Sequence, residues 1–206
     1  MPFEIRNTLI NHIASYEEYL DIMYQDSKGK VTVGMGFNLQ SGIYSDEKLA
    51  SMGFVKVDRT TLASLEEIKA NINRVMEGVK DQAERESKEK FSAGYFKPFN
   101  QVYLPKAAAE KHLPKKIEEA ANELRITFSI FDTYPKHAQM ALVDMMYTLG
   151  RPTFEGLFEK LSELVKERNW KAAAEECRIT SHPEFRNEQV KRWFLEAERW
   201  DSFRDM

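Results

Sequence analysis

Ile5, Leu9, Ile13, Tyr16 and Leu20 recur at helical spacing, with Ile10 widening the stripe, which predicts an amphipathic helix at the start of the chain. The period then changes to two. Val31, Val33, Met35 and Phe37 alternate with Thr32, Gly34 and Gly36, which predicts a strand over 30–37. Leu20–Gln25 is its hairpin partner, through the turn Asp26-Ser27-Lys28-Gly29. Residues 38–61 keep no period and read as loop with one short helix. Ser64-Leu65-Glu66-Glu67 has capping-box spacing and opens a charged helix to about Lys90. Residues 91–103 are aromatic, contain Gly94 and Pro98, and read as a loop packed onto its neighbours.

Pro105 and Pro114 are each placed to start a helix, the second running to about Phe128. Pro135 starts the most apolar one, with Ala138, Ala141, Leu142, Met145, Met146 and Leu149 covering most of its sides. That pattern marks a buried central helix, ended by Gly150. Helices over Phe154–Arg168, Trp170–Cys177 and Pro183–Arg199 complete the reading. The fold class is α+β and mostly helical. A small N-terminal β-hairpin lobe spans about 15–60, a helical insertion about 62–133 and a larger helical lobe about 134–206, all in one domain.

Composition narrows the partners. The 206 residues are 42% apolar and 31% charged with a net charge of −3, an ordinary globular balance without the basic surplus of a non-specific nucleic-acid binder. No nucleic acid partner is expected, and no membrane insertion, since no run of about 18 apolar residues occurs. Cys177 is the one cysteine, so no internal disulfide can form. His12, His112, His137 and His182 show no metal-ligand spacing, so neither metal nor cofactor is expected. A monomer is the default.

Three residues near the N-terminus carry candidate chemistry. Glu17 lies four residues after Ile13, on the apolar edge of its helix and near the C-terminal end. The helix dipole disfavours negative charge there, a setting suited to a general acid. Asp26 opens the hairpin turn, where Asp commonly bonds backbone N–H groups. Thr32 shares its strand face with Gly34 and Gly36, which predicts a bare groove. Two carboxylates beside a groove are the minimum set for glycoside hydrolysis.

These residues resemble the catalytic set of the phage-type lysozymes, glycoside hydrolase family 24. Glu17, eight intervening residues, Asp26, five intervening residues and Thr32 match that pattern without a gap, within a Tyr24-to-Gly36 stretch that is similar throughout. Ala141-Leu-Val-Asp-Met-Met-Tyr147-Thr-Leu-Gly150 resembles the family's buried helix. Trp170-Lys-Ala-Ala-Ala is similar to a further pattern, and Arg186, eight residues before Phe194, to the Arg that supports the acid. The likeness covers about residues 5–38 and 134–200. Phe37 departs from it, standing where many members carry His.

The resemblance implies a lysozyme-like two-lobed fold and an inverting N-acetylmuramidase. Glu17 would protonate the glycosidic oxygen, while Asp26 and Thr32 would place the attacking water. Phe37, Asn38, Tyr147 and Thr148 would line the sugar site and Arg186 would support Glu17. The partner would be bacterial peptidoglycan, with an immunity or inhibitor protein as a second. Met1–Arg6 lack a basic flank before an apolar core, so the expected route is synthesis in the cytoplasm. A holin or a secretion device would then deliver the protein to the periplasm or wall, as a phage endolysin or an interbacterial toxin. A non-catalytic wall-binding or structural module on the same fold is the alternative.

Overall fold

The computed structural model describes residues 2–17, 19–26, 29–40, 44–79 and 92–204. They form a mostly helical α+β chain with small antiparallel sheets. The chain divides into two compact units, one of Met1–Tyr16 with Pro114–Met206, the other of Glu17–Leu113. The sequence placed a hairpin lobe at about 15–60. Here most of the middle segment groups with that hairpin, and the first helix groups with the C-terminal half.

The Glu17–Leu113 unit starts with strands β1 (Leu20–Gln25), β2 (Val31–Gly34) and β3 (Phe37–Asn38), paired in that order. Tyr24 pairs with Thr32 and Thr32 with Asn38, while Val33 pairs with Phe37. The strand predicted over 30–37 is therefore two strands joined by a tight turn. Gly34 (φ 66°) and Gly36 (φ 74°) take the left-handed conformation that reverses the chain. The glycines that imitated one side of an alternating strand are turn residues. Gly34 is doubly constrained, because a Cβ there would come within 3.1 Å of the Leu104 and Phe37 side chains.

Helix α1 (Phe3–Tyr16), of the other unit, precedes these strands and stops before Leu20, which the chain uses in β1. After the sheet come α2 (Asp46–Ser51), β4 (Val55–Lys56) and α3 (Leu65–Glu77). The predicted capping box forms, with Ser64 N–H donating to the Glu67 carboxylate at 2.8 Å and Glu67 N–H donating to Ser64 Oγ at 3.3 Å. Residues 80–90, assigned by the sequence to the same helix, lie outside the described residues, as do 27–28 of the turn and 41–43 of the loop. The aromatic stretch contains a short helix, α4 (Ala93–Phe96), and strand β5 (Val102–Tyr103), which pairs with β4.

A pair of buried asparagines holds this unit together. The Asn100 amide donates to the Met23 and Phe96 carbonyls at 2.9 and 2.8 Å, and its oxygen accepts from Met23 N–H at 2.8 Å. The same oxygen accepts from the Asn71 amide at 3.0 Å, and Asn71 Oδ1 accepts from Gln101 N–H at 2.6 Å. The clasp ties α3 and the aromatic segment to β1, satisfying backbone groups that no strand partner reaches.

Helix α5 (Lys106–Thr127) is continuous through Pro114, where the sequence predicted a second start. Ala109, Leu113, Ile117, Ala121 and Leu124 are all buried, so one apolar stripe runs past the proline. The strong helix formers Lys106–Lys111 precede it. Packing gain along that stripe outweighs the lost N–H bond.

In the Met1–Tyr16 and Pro114–Met206 unit, α6 (Lys136–Leu149) is the central helix, buried without a break from Ala138 to Tyr147. Gly150 ends it at φ 68°. Helices α7 (Arg151–Leu157) and α8 (Glu159–Lys166) replace the single amphipathic helix predicted there, broken at Phe158. Then come α9 (Trp170–Glu176) and α10 (Glu184–Arg204). Helices α1 and α10 both pack on α6, and α9 packs on α10. Among the described residues no helix is long and apolar enough to cross a membrane.

The Asn100→Ala variant should lose about 3 kcal/mol of stability, because it strands the Met23 and Phe96 backbone groups in the interior. Urea unfolding checks this. A loss within about 0.5 kcal/mol, the range of an ordinary surface substitution, would show that the clasp is dispensable.

Candidate active site

Glu17 sits one residue past the end of α1, in a bend, and is half-buried. The sequence placed it on the helix. The helix instead ends at Tyr16, so the side chain belongs to the connection into β1.

Asp26 closes the hairpin. Its N–H donates to the Lys30 carbonyl at 2.9 Å, its carbonyl accepts from Gly29 N–H at 2.8 Å, and Oδ1 accepts from Lys30 N–H at 2.8 Å. One carboxylate oxygen thus does the turn work expected of Asp at this position. Thr32 is buried, and its hydroxyl donates to the Lys30 carbonyl at 3.3 Å. Its cross-strand partners Tyr24 and Asn38 share its sheet face. Asp26, two residues beyond Tyr24, continues the alternation onto that face. Asp26 and Thr32 both bond Lys30 in the described turn, and of the two glycines expected to leave the face beside Thr32 bare, Gly36 lies beyond the end of β2. Both glycines are spent on the turn, and Tyr24 and Asn38 flank the threonine.

The four proposed wall residues divide by exposure. Phe37 has 0% exposed surface and Tyr147 is buried, so both serve as core. Asn38 is half-buried, with Oδ1 accepting from Gln40 N–H at 2.9 Å. Thr148 is exposed.

Arg186 leads to a cluster that sequence reasoning missed. It is buried, and it holds Asp144, which has 0% exposure. Arg186 Nε donates to Asp144 Oδ2 at 3.2 Å and Nη2 to Oδ1 at 2.9 Å, a two-pronged pairing. Nη2 also donates to Thr148 Oγ1 at 3.1 Å. His12 Nε2 lies 3.3 Å from Asp144 Oδ1, and His182 Nε2 lies 3.0 Å from Thr148 Oγ1. Asn187 pins the preceding loop by donating to the Ile179 carbonyl and accepting from its N–H.

The Thr148 hydroxyl joins these groups. Thr148 donates to the Asp144 carbonyl at 3.2 Å and accepts from Arg186. His182 faces it through Nε2 and is neutral at pH 7. Burial is the main force keeping it so, and the neighbouring Arg186 charge adds to it, so that the pKa falls to about 4. Asp144 goes the opposite way from what burial dictates. Desolvation pushes its pKa up, but the close approach of His12 Nε2 and the charge and hydrogen bonds of Arg186 hold it below the ordinary carboxylate value.

No signal for this cluster stands out in the sequence. Asp144 is one polar residue in an apolar helix, and its partners lie far off along the chain. The one available cue was that a carboxylate at such a position needs a cation. No protein-family model matches the sequence, and no curated protein matches it.

Two outcomes follow from the cluster. Arg186→Ala should destabilise the protein by about 3–5 kcal/mol in urea unfolding, since it leaves Asp144 charged, buried and without its cation. A loss below about 1 kcal/mol would mean the pair is solvated in solution. The second outcome concerns pH. With its folded pKa lowered from 6.5 to about 4, His182 binds more protons unfolded than folded in that window. Its stabilising contribution is complete above pH 6.5 and is lost as pH falls toward about 4. Unfolding free energies of wild type and His182→Gln, measured from pH 7 to pH 4, should differ in slope by up to about 3 kcal/mol over the window. Parallel curves would show His182 to be solvated.

Proposed function

We propose that the chain is a glycoside hydrolase. Within that class, the reading best supported is a peptidoglycan muramidase of the lysozyme type, cutting between N-acetylmuramic acid and N-acetylglucosamine. The observation that carries it is the Glu17, Asp26 and Thr32 spacing, supported by the bonds that Asp26 and Thr32 both make to Lys30 in the hairpin. A motif spread over 16 residues needs local structure to bring its members together. The hairpin supports this for Asp26 and Thr32, each of which bonds Lys30.

In this reading Glu17 is the general acid for the leaving oxygen. Asp26 would orient and deprotonate the water through its carboxylate, whose Oδ1 also accepts from Lys30 N–H. Thr32 assists, at the cost of its bond to the Lys30 carbonyl. Inversion requires the two carboxyls about 6.5–9.5 Å apart, with the water between them. Asn38, half-buried on β3 and paired with Thr32, would contact the sugars. Arg186, fixed by Asp144, is the supporting cation. The substrate sets the place of action at the bacterial wall, reached through a holin or a secretion device, where an immunity or inhibitor protein would be the natural antagonist.

A specific observation favours a second reading. The Asp26 Oδ1 and the Thr32 hydroxyl both have structural partners in the turn, Lys30 N–H and the Lys30 carbonyl. A wall-binding module would keep them for that reason alone.

Digestion of purified peptidoglycan separates the two. Wild type should release fragments ending in reducing muramic acid, and Glu17→Gln should release none while unfolding at the same denaturant concentration as wild type. Intact glycan with both proteins, each still sedimenting with the wall, would replace the enzyme by a binding module.

A further inference from the structure

Phe185 is an apolar ring left 59% exposed at the start of α10. It is not loose. Its ring lies 5.1 Å from that of Tyr16, tilted by 43°. Tyr16 is in turn clamped. The His12 ring meets it edge-on at 4.5 Å, and the Arg186 guanidinium carbon lies 5.9 Å from its centroid. Both clamps are anchored on Asp144. A buried charge cluster thus stiffens a surface aromatic pair, and Tyr16 is the residue directly before Glu17 in the chain.

We propose that Phe185 and Tyr16 form a stacking platform for a pyranose ring of a β-linked N-acetylhexosamine chain, a binding subsite that rests on the muramidase reading. The apolar face of a pyranose presents C–H groups, and an aromatic face carries the negative lobe of its quadrupole, so the two attract. A ring already held by its neighbours loses little freedom when the sugar arrives. Exposed apolar area that would otherwise be a burden in water becomes contact area.

The test uses the full chain carrying Glu17→Gln, so that glycan is bound and not cut. Titration calorimetry with peptidoglycan glycan strands freed of their peptides compares this protein with versions that also carry Phe185→Ala or Phe185→Trp. Phe185→Ala should weaken binding roughly three- to tenfold, the loss of one aromatic contact, and Phe185→Trp should restore it. Phe185 is exposed, so neither change threatens the fold. Equal affinity in all three proteins would overturn the platform and leave the muramidase reading standing. No binding by any of them would also overturn the platform, and digestion by wild type would then decide separately whether the muramidase reading falls with it.

Discussion

Taking a carboxylate out of water costs several kcal/mol unless a cation and hydrogen bonds replace the solvent. Asp144 has no exposed surface, and the C-terminal part of the chain is arranged around that fact. Arg186 from α10 meets it in two-pronged fashion, His12 from α1 approaches the same oxygen as one of those prongs, and Thr148 and His182 complete the shell. Three helices that pack by apolar contact are thereby also fixed in register by charge. Removing Arg186 leaves a buried carboxylate without its cation. An apolar core alone would not choose one rotation of α1 and α10 about α6 so narrowly.

The Glu17–Leu113 unit solves a related problem with neutral groups. Its sheet is too small to satisfy its own backbone, so Asn71 and Asn100 act as surrogate strand partners. Gln25 contributes in the same manner, its amide donating to the Val75 carbonyl at 2.7 Å. The short hairpin that carries Asp26 and Thr32 is consequently supported from behind by side chains of α3 and the aromatic segment. Chemistry placed on a hairpin turn needs such backing, since an isolated hairpin is marginal in water.

What could be read from the sequence was local. The capping box at Ser64–Glu67 and the stop at Gly150 depend on residues within a few positions, and both formed. The buried character of 138–147 followed from composition. The errors share a cause: a local pattern admitted two structures and distant packing chose between them. Gly34 and Gly36 fit an alternating strand as well as a turn until Phe37 folded back onto Val33. Pro114 fits a helix start as well as a helix interior until the stripe from Ala109 to Leu124 is buried. Asp144 with Arg186, and Asn71 with Asn100, were not legible because each pair spans tens of residues and has no spacing to betray it. Of the candidate trio, residue identities and spacing came from the sequence. The end of the helix before Glu17 and the burial of Thr32 came from the structure.

The central claim is that Glu17 and Asp26 act as acid and base on opposite sides of a glycosidic bond. Stereochemistry reports on that directly. Proton NMR of peptidoglycan glycan during the first minutes of digestion would follow the anomeric signal of each new reducing end before mutarotation blurs it. Direct attack by a water held at Asp26 turns the β linkage into an α product, and that is the result predicted here. A β product would mean a covalent intermediate and a different role for the second carboxylate, and no new reducing end would contradict the hydrolase itself.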